Sequence, residues 1–298
     1  MKKKRRYKKP DLFLLIVSII LFFMALSCLL PIINVLAISF SDNSAVAAGE
    51  VSFWPVDFTL AAYKYVLNDV KFFKSLIVSV ERVLIGPLVN VLLVILCAYP
   101  LSKDEKQFHA RKRYVWIFYF TTLFGGGMIP TYMVVNKTGM INSFWSLIIP
   151  GALPVGNMIM MMNFLRNLPK EMEEAALIDG ASQWKILWKI QLPLSKACVA
   201  TIFMFSLVYH WNSWYDGMIY FNTTKGQPMA TYLHNVVVNN TLELMAAVDF
   251  ETLQELMKLS TQTTNAAQLI LAMLPILVVY PFMRKYFSQG IVMGSVKG

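Results

Sequence analysis

Apolar runs close to the length of a membrane-spanning helix follow one another through most of this chain of 298 residues. A helix needs about 20 predominantly apolar residues to cross the hydrocarbon core of a bilayer. Only 15% of the residues are charged, against about 25% in soluble domains, and 57% are hydrophobic. The sequence therefore predicts an all-α, polytopic membrane protein with one transmembrane domain over residues 1–298. The predicted spans are residues 12–40, 75–101, 114–136, 144–165, 197–221 and 266–287.

The first span follows a basic stretch, as the hydrophobic region of a signal peptide does. The apolar run from Leu12 to Phe40 is, however, far longer than the roughly 7–15 residues of a signal peptide. We therefore predict that it is a retained span. The third span contains Gly125, Gly126, Gly127 and Pro130, which predict a broken or bent helix. This break has two readings, either a segment that lines a pathway or close helix packing around small residues.

The distribution of basic residues predicts the orientation of the chain. Most of the 27 lysines and arginines fall in residues 1–11, 102–113 and 166–196 and after residue 283. Cytoplasmic loops carry such an excess of basic residues. Both termini and the segment 167–196 are therefore predicted to be cytoplasmic, and the long loop 222–265 to be extracytoplasmic with a helix in it. This pattern also accounts for the net charge of +10 without nucleic acid as a partner.

The segment 167–196, here called the EAA segment after its residues Glu174-Ala175-Ala176, is a charged passage between two apolar spans. A helix is predicted to start with Asn167 as its cap and to end at Asp179–Gly180, where a glycine is a natural stop. Ser182 is predicted to cap a second helix, and Pro193 to end it. Physical reasoning leaves two alternatives, an amphipathic helix pair on the membrane surface or a docking element for another protein.

The spacing of residues in this segment carries a family resemblance. Glu174-Ala175-Ala176, Gly180, Ile190 and Leu192-Pro193 match every fixed position of the pattern EAA---G---------I-LP. The chain thus resembles bacterial ABC-importer permeases, specifically the maltose-type second permeases and the lipoprotein-associated oligosaccharide permeases. Further matches to that branch are residues 100–102, 211–214, 286–290 and 294–298.

This resemblance implies a coupling helix that docks in a cleft of an ATP-binding subunit. The residues implied in this coupling are Glu174, Ala175, Ala176, Asp179, Gly180, Ile190, Leu192 and Pro193. The C-terminal tail 288–298 is implied to reach between the ATPase subunits through Gln289, Gly290 and Gly294, or else to be a frayed end. The implied partners are a homologous second permease, two ATP-binding subunits and an extracytoplasmic solute-binding protein, in a bacterial cytoplasmic membrane.

The chain is not expected to be an enzyme. It contains no GxxxxGK[ST] phosphate-binding loop. ATP and Mg are therefore expected in the partner ATPase subunits, with no cofactor in this chain. His109, His210 and His234 are scattered over both predicted sides of the membrane, so no metal site is expected.

Polar and aromatic residues inside or beside spans are candidates for a carbohydrate path, since charges there are costly. The candidates are Glu81, Arg82, Asn157, Asn163, Trp211, Asn212, Trp214, Tyr215 and Asp216. The alternatives are pairing between helices for the charges and an interfacial aromatic belt for the rings. Two other functions stay open, an ABC permease for a non-sugar solute and an autonomous secondary transporter. The sequence does not indicate which sugar is carried.

Overall fold

The computed structural model describes residues 12–223, 225–236 and 261–295. The N-terminal basic stretch, most of the loop predicted to hold an extracytoplasmic helix and the last three residues of the tail lie outside this description. Within the described residues the secondary structure is all helical, with no strand, as predicted. The chain divides into two compact units, residues 1–68 with 237–271 and residues 69–236 with 272–298.

The described residues form α-helices of very different lengths. They are α1 Leu12–Ser39, α2 Asn43–Ala47, α3 Ala61–Asn68, α4 Val70–Ser102, α5 Arg111–Leu123, α6 Met128–Lys137, α7 Val155–Arg166, α8 Lys170–Ile178, α9 Gln183–Ile186, α10 Leu192–Leu194, α11 Lys196–Asn212, α12 Tyr215–Tyr220 and α13 Thr261–Ser295. Short 3₁₀ turns cover Phe144–Leu147 and Ile149–Gly151, a π turn covers Leu187–Gln191, and residues 229–236 are helical.

Three helices are long and apolar enough to cross a membrane, and three bent pairs bring the number of candidate spans in the described residues to six. The straight spans are α1, α4 and the first half of α13. Helices α5 and α6 meet at 116°, across the glycines where the sequence predicted a break. The fourth and fifth predicted spans are less regular than expected. The fourth begins with 3₁₀ turns bent by 49° against α7. In the fifth, α11 is bent by 82° against residues 183–194 of the EAA segment, and the helix is interrupted again after Asn212.

The core of the second unit is built on α4, which packs against α7 and α11. Asp69 caps α4 by accepting a hydrogen bond from the backbone N–H of Lys71 at 2.8 Å. The residues buried where these helices meet are Val94, Ala98, Met158, Met161 and Ile202. Gly86 allows closer contact still, because a Cβ there would lie 2.5 Å from the imidazole of His210. Helices α4, α7 and α11 therefore pack around one shared core.

The first unit is held together at the end of α1. The phenyl ring of Phe40 stacks on Phe58 and Tyr63, at centroid distances of 5.4 and 4.8 Å. Ser39 and Tyr63 share a hydrogen bond of 2.8 Å between their hydroxyl groups. These contacts connect α1 to the loop and helix that follow it.

Candidate functional site

The first candidate site is the EAA segment, which is built as two short helices around Gly180. Glycine suits this position because its φ of +74° is a left-handed conformation that other residues adopt at a cost. The N–H of Ala181 bonds to the carbonyl of Ala176 at 2.9 Å, and that of Gly180 to Leu177 at 3.0 Å. This pair of bonds is the Schellman motif, which satisfies the last carbonyls of a helix. The predicted stop at Gly180 is thus present, and its cause is visible.

The start of each helix in the EAA segment follows from its caps, with two differences from the sequence prediction. Asn167 ends α7 instead of capping α8, which Pro169 precedes. Ser182 caps α9 as expected, accepting from the N–H of Lys185 at 3.4 Å. Pro193 does not end the helical run. It lies in the first turn of α10, where a helix needs no N–H from it, and the chain bends by 82° before α11.

The inner face of α8 is fixed to its neighbours by Glu173. Its Oε1 lies 2.5 Å from Nζ of Lys103, the residue that follows α4, and its Oε2 accepts a hydrogen bond of 2.8 Å from Gln191. Ala176, one turn further on, is buried. Burial lowers the pKa of Lys103, while the hydrogen bond to Glu173 acts in the opposite direction. Glu173 therefore ties α8 to the end of α4 and to the π turn.

A second ion pair joins the same two parts of the chain at the surface. Lys170, the first residue of α8, lies 2.7 Å from the carboxylate of Asp104. Each partner stabilises the charged form of the other, so the hydrogen bond lowers the pKa of Asp104 and raises that of Lys170. Because both side chains are well exposed, this pair contributes little to stability compared with the part-buried pair of Glu173.

The opposite side of α8, here called the outer face, consists of Glu171, Glu174, Ala175 and Ile178. These positions are three and four residues apart and so share one side of a helix. All four are exposed, and Ile178 is 87% exposed. Of the other residues implied in coupling, Asp179 is the exposed C-cap of α8, Ile190 and Leu192 are half-buried and Pro193 is exposed. The segment thus presents a charged and apolar face that nothing in the described chain covers.

The second candidate site is a buried polar network around Arg82, whose side chain is completely buried. The guanidinium pairs with both carboxylate oxygens of Asp216. It also donates to the carbonyls of Ser213 and Leu147 at 3.2 and 3.1 Å and to Nδ1 of His210 at 3.2 Å. A guanidinium has five N–H donors, and all five are used here. The role of Arg82 in this subunit is therefore to hold helices together, which fits the structure better than substrate contact.

The network continues from His210 to α4. Because Nδ1 of His210 accepts from Arg82, its proton is on Nε2, which donates to Oδ1 of Asn90 at 3.2 Å. The carbonyl of Ser213 lies at the break between α11 and α12, where the helix no longer provides a donor. Arg82 supplies that donor inside a candidate span, where an unpaired backbone group would be costly. The break in the fifth span is thus stabilised by a residue of the second.

The other predicted path residues do not converge on one point. Tyr215 donates to the sulfur of Met128 at 2.6 Å, and the ring of Trp214 stacks on His234 at 4.0 Å. Asn212 bonds back to the carbonyl of Val208 at 2.9 Å. Glu81 is exposed and forms no ion pair within the described residues. Asn163 is exposed and Trp211 is half-buried. Asn157 lines a cavity between α4, α7 and α11.

Sequence reasoning did not assign a contact to three residues that matter in this geometry. Glu173 lies in the quoted EAA segment, but nothing local distinguishes it from Glu174. The sequence marks His210 only as one of three scattered histidines, and Ser206 as a small polar residue in an apolar span. The charge of Arg82 inside a predicted span was a signal that partners had to exist, since a buried cation needs them.

An all-helical fold with up to six candidate spans in the described residues is the architecture of a polytopic membrane protein. The family model of the binding-protein-dependent transport system inner membrane component matches residues 4–293, so the chain belongs to that family. It is 37% identical over 290 residues to the polygalacturonan/rhamnogalacturonan transport system permease protein YtcP of Bacillus subtilis (strain 168), covering 97% of this chain and 100% of the relative. Protein LplC of the same organism is 37% identical over 270 residues, covering 91% of this chain and 90% of the relative.

Among solved structures, the chain is similar to one in the crystal structure of a bacterial ABC transporter involved in the import of the acidic polysaccharide alginate. The identity is 30% and the TM-score 0.83, with 95% of this chain and 100% of that chain covered. The resemblance drawn from the EAA pattern is therefore confirmed. The chain is a membrane-embedded transport permease subunit.

Proposed function

We propose that this chain is one permease subunit of an ATP-driven importer for an oligosaccharide and that it forms half of the translocation pathway. The names of its relatives support the substrate class, since one carries polygalacturonan or rhamnogalacturonan and another belongs to an importer of alginate. Both are acidic polysaccharides or contain acidic sugars. The other half of the pathway is a homologous second permease, and an extracytoplasmic binding protein delivers the sugar.

The observation that carries the coupling role is the exposure of Ile178 on a helix whose other face is fixed. A side chain of this kind, 87% exposed, gains stability when a partner covers it. The inner face is anchored through Glu173, so a movement of the outer face is passed to α4 and to the π turn before α11. We propose that the outer face of α8 docks in a cleft of an ATP-binding subunit. Glu174 provides a polar contact there.

This role places the EAA segment and both termini in the cytoplasm. ATP and Mg are bound by the two ATPase partners, and the chain itself performs no catalysis. Gln289, Gly290 and Gly294, through which the tail would reach the ATPase pair, lie in the last turns of α13. A cysteine at position 178, in a variant lacking Cys28, Cys97 and Cys198, tests the orientation. In cells that lack the ATPase subunits, so that the outer face is uncovered, a membrane-impermeant maleimide should label it in inside-out vesicles and not in intact cells, and the opposite pattern would contradict the assignment.

The test of the substrate class is uptake by the assembled transporter. The complex, with its binding protein, is reconstituted in liposomes containing ATP on the cytoplasmic side. We expect ATP-dependent uptake of a labelled oligosaccharide and no uptake by the isolated chain. A complex that takes up a phosphate ester or a peptide, and no oligosaccharide, would overturn the carbohydrate assignment. Uptake by the chain alone would instead indicate a secondary transporter.

A further inference from the structure

A cavity of about 420 Å³ with a mixed apolar and polar lining lies between α4, α7 and α11, within the second unit. Its size falls in the range of small-molecule sites, which is about 300–1,000 Å³. Polar groups from three helices reach it, namely Asn90, Asn157, Ser206 and Tyr209. It is distinct from the network around Arg82, with which it shares one wall, since Asn90 bonds to both His210 and the carbonyl of Gly151.

One polar group of this cavity has no partner in the described chain. Ser206 is 2% exposed, and its Oγ is buried without a hydrogen bond. A serine within a helix commonly bonds to the carbonyl four residues earlier, as Thr201 does on the same helix at 2.9 Å. A buried hydroxyl without a partner costs free energy, so its presence beside a cavity points to a ligand.

The cavity also lies against an uncapped helix end. Helix α7 begins at Val155, and no side chain caps it. The first backbone bond of the helix is donated by Met158 to the carbonyl of Pro154 at 3.1 Å, so the N–H groups of residues 155–157 precede it. Pro154 and Asn157 both line the cavity. A helix N-terminus carries partial positive charge and favours an anion, most strongly inside a membrane protein where water is excluded.

The remaining wall suits the face of a sugar ring. Phe205 and Tyr209 lie one turn apart on α11 and both line the cavity, where they are 40% and 53% exposed. Aromatic rings bury large apolar areas, and tyrosine also carries a hydroxyl group that can hydrogen-bond to a ligand. None of the cavity's lining residues in the described chain is acidic. The composition therefore suits a hydroxylated ring that carries a negative charge.

We propose that this cavity is a binding station for one uronate ring of the transported oligosaccharide. The ring packs on Phe205 and Tyr209, its hydroxyls bond to Ser206 and Asn157, and its carboxylate lies at the N-terminus of α7. This inference rests on the proposed carbohydrate function and adds a position and an acidic ring to it.

The experiment uses the full transporter complex with its binding protein in liposomes. The probes are an oligogalacturonate of defined length and its fully methyl-esterified form, which is neutral. The quantity measured is substrate imported per ATP hydrolysed, because a ring that is poorly held returns before the cycle is complete. Asn157→Asp adds a charge with little change in size, at a position in the first helical turn where a carboxylate favours folding. Asn157→Ala removes the amide without adding a charge.

For oligogalacturonate, we expect Ser206→Ala and Asn157→Ala to lower this ratio about two- to tenfold, the effect of one hydrogen bond. Asn157→Asp should lower it by a further factor of about ten, through repulsion of the carboxylate. For the methyl ester, Asn157→Asp and Asn157→Ala should have equal effects. Thr201→Val, which removes a satisfied hydroxyl from the same helix, serves as the matched control and should leave the ratio unchanged.

Three outcomes would overturn the proposal. Equal effects of Asn157→Asp and Asn157→Ala on oligogalacturonate would exclude a carboxylate at this end of α7. Wild-type ratios in every variant would show that the substrate does not visit the cavity. Wild-type import restricted to neutral sugars would exclude the uronate. If the wild-type complex imports no carbohydrate at all, the proposed function itself fails, and the two failures are thereby told apart.

Discussion

The carboxylate of Glu173 on α8 lies 2.5 Å from the ammonium of Lys103, which directly follows the long helix α4. The two side chains are only 15% and 10% exposed, so this ion pair is shielded from solvent. It joins the loop helix that we propose to dock on an ATPase to a helix that borders the proposed sugar cavity. A shift of α8 is therefore transmitted to the membrane part through a specific contact.

Removing the carboxylate should weaken this connection. Glu173→Ala leaves the ammonium of Lys103 with only the ring of Tyr99, 4.1 Å away, and removes the hydrogen bond of Gln191, at a cost of about 1–3 kcal/mol. We expect a lower melting temperature of the purified complex and less sugar imported per ATP. Glu171→Ala, on the exposed outer face and without an ion pair in the described chain, is the control for stability and should melt as the wild type does. A double variant, Lys103→Met with Glu173→Met, should recover the part of the lost stability that comes from the unpaired ammonium, while the hydrogen bond of Gln191 stays lost.

Replacing Gly180 tests whether the turn depends on its left-handed backbone. Because no atom lies within 4 Å of a Cβ added there, the penalty comes from the backbone alone. Gly180→Val should destabilise the turn by about 1–2 kcal/mol and uncouple ATP hydrolysis from uptake. Gly180→Asn should be milder, since asparagine adopts this conformation more readily.

The control for this series is Gly125→Ala, at a glycine with similar open space and no positive φ. The measurement is the ratio of uptake to ATPase activity in the reconstituted complex. A wild-type ratio of uptake to ATPase activity in the valine variant would mean that the left-handed backbone of residue 180 is not required.

Breaking the pair between Arg82 and Asp216 should destabilise the subunit strongly. Arg82→Met leaves the part-buried carboxylate of Asp216 without its cation, which costs about 3–5 kcal/mol for a buried pair. The second variant, Arg82→Met with Asp216→Leu, should be more stable than Arg82→Met alone, because no charge is left unpaired. The yield of folded complex in detergent and its melting temperature give the comparison.

The neighbouring Glu81 provides the matched control for the arginine. Its side chain is exposed and forms no ion pair within the described residues, so Glu81→Gln should change stability by less than about 0.5 kcal/mol. If the single variant Arg82→Met were as stable as Glu81→Gln, the assignment of Arg82 to helix packing would be wrong.

The features that the sequence predicted correctly are those set by local chemistry. The stop at Gly180 and the cap at Ser182 depend on a few neighbouring residues, and the broken third span depends on its glycines. The family resemblance was strong because the EAA pattern is a fixed spacing of residues within one short segment. These parts need no knowledge of which distant segments meet.

The features that were missed depend on contacts between distant segments. Arg82 and Asp216 are 134 residues apart, and nothing in either span identifies the other as its partner. The break after Asn212 is hidden in a continuous aromatic and apolar run, and is stabilised by Arg82 from another helix. Ser206 does not stand out in the sequence, since only the three-dimensional packing shows that its hydroxyl lacks the usual hydrogen bond to a backbone carbonyl.

The central claim is that the outer face of α8 couples this permease to ATP hydrolysis, and Ile178 tests it most directly. Ile178→Asp should not disturb the fold of the subunit, because the side chain is 87% exposed. In the reconstituted complex it should weaken retention of the ATPase subunits and abolish both sugar-stimulated ATPase activity and uptake. Ile178→Leu, which keeps the apolar surface, should behave as the wild type does. Full ATPase retention and normal uptake with Ile178→Asp would contradict the account.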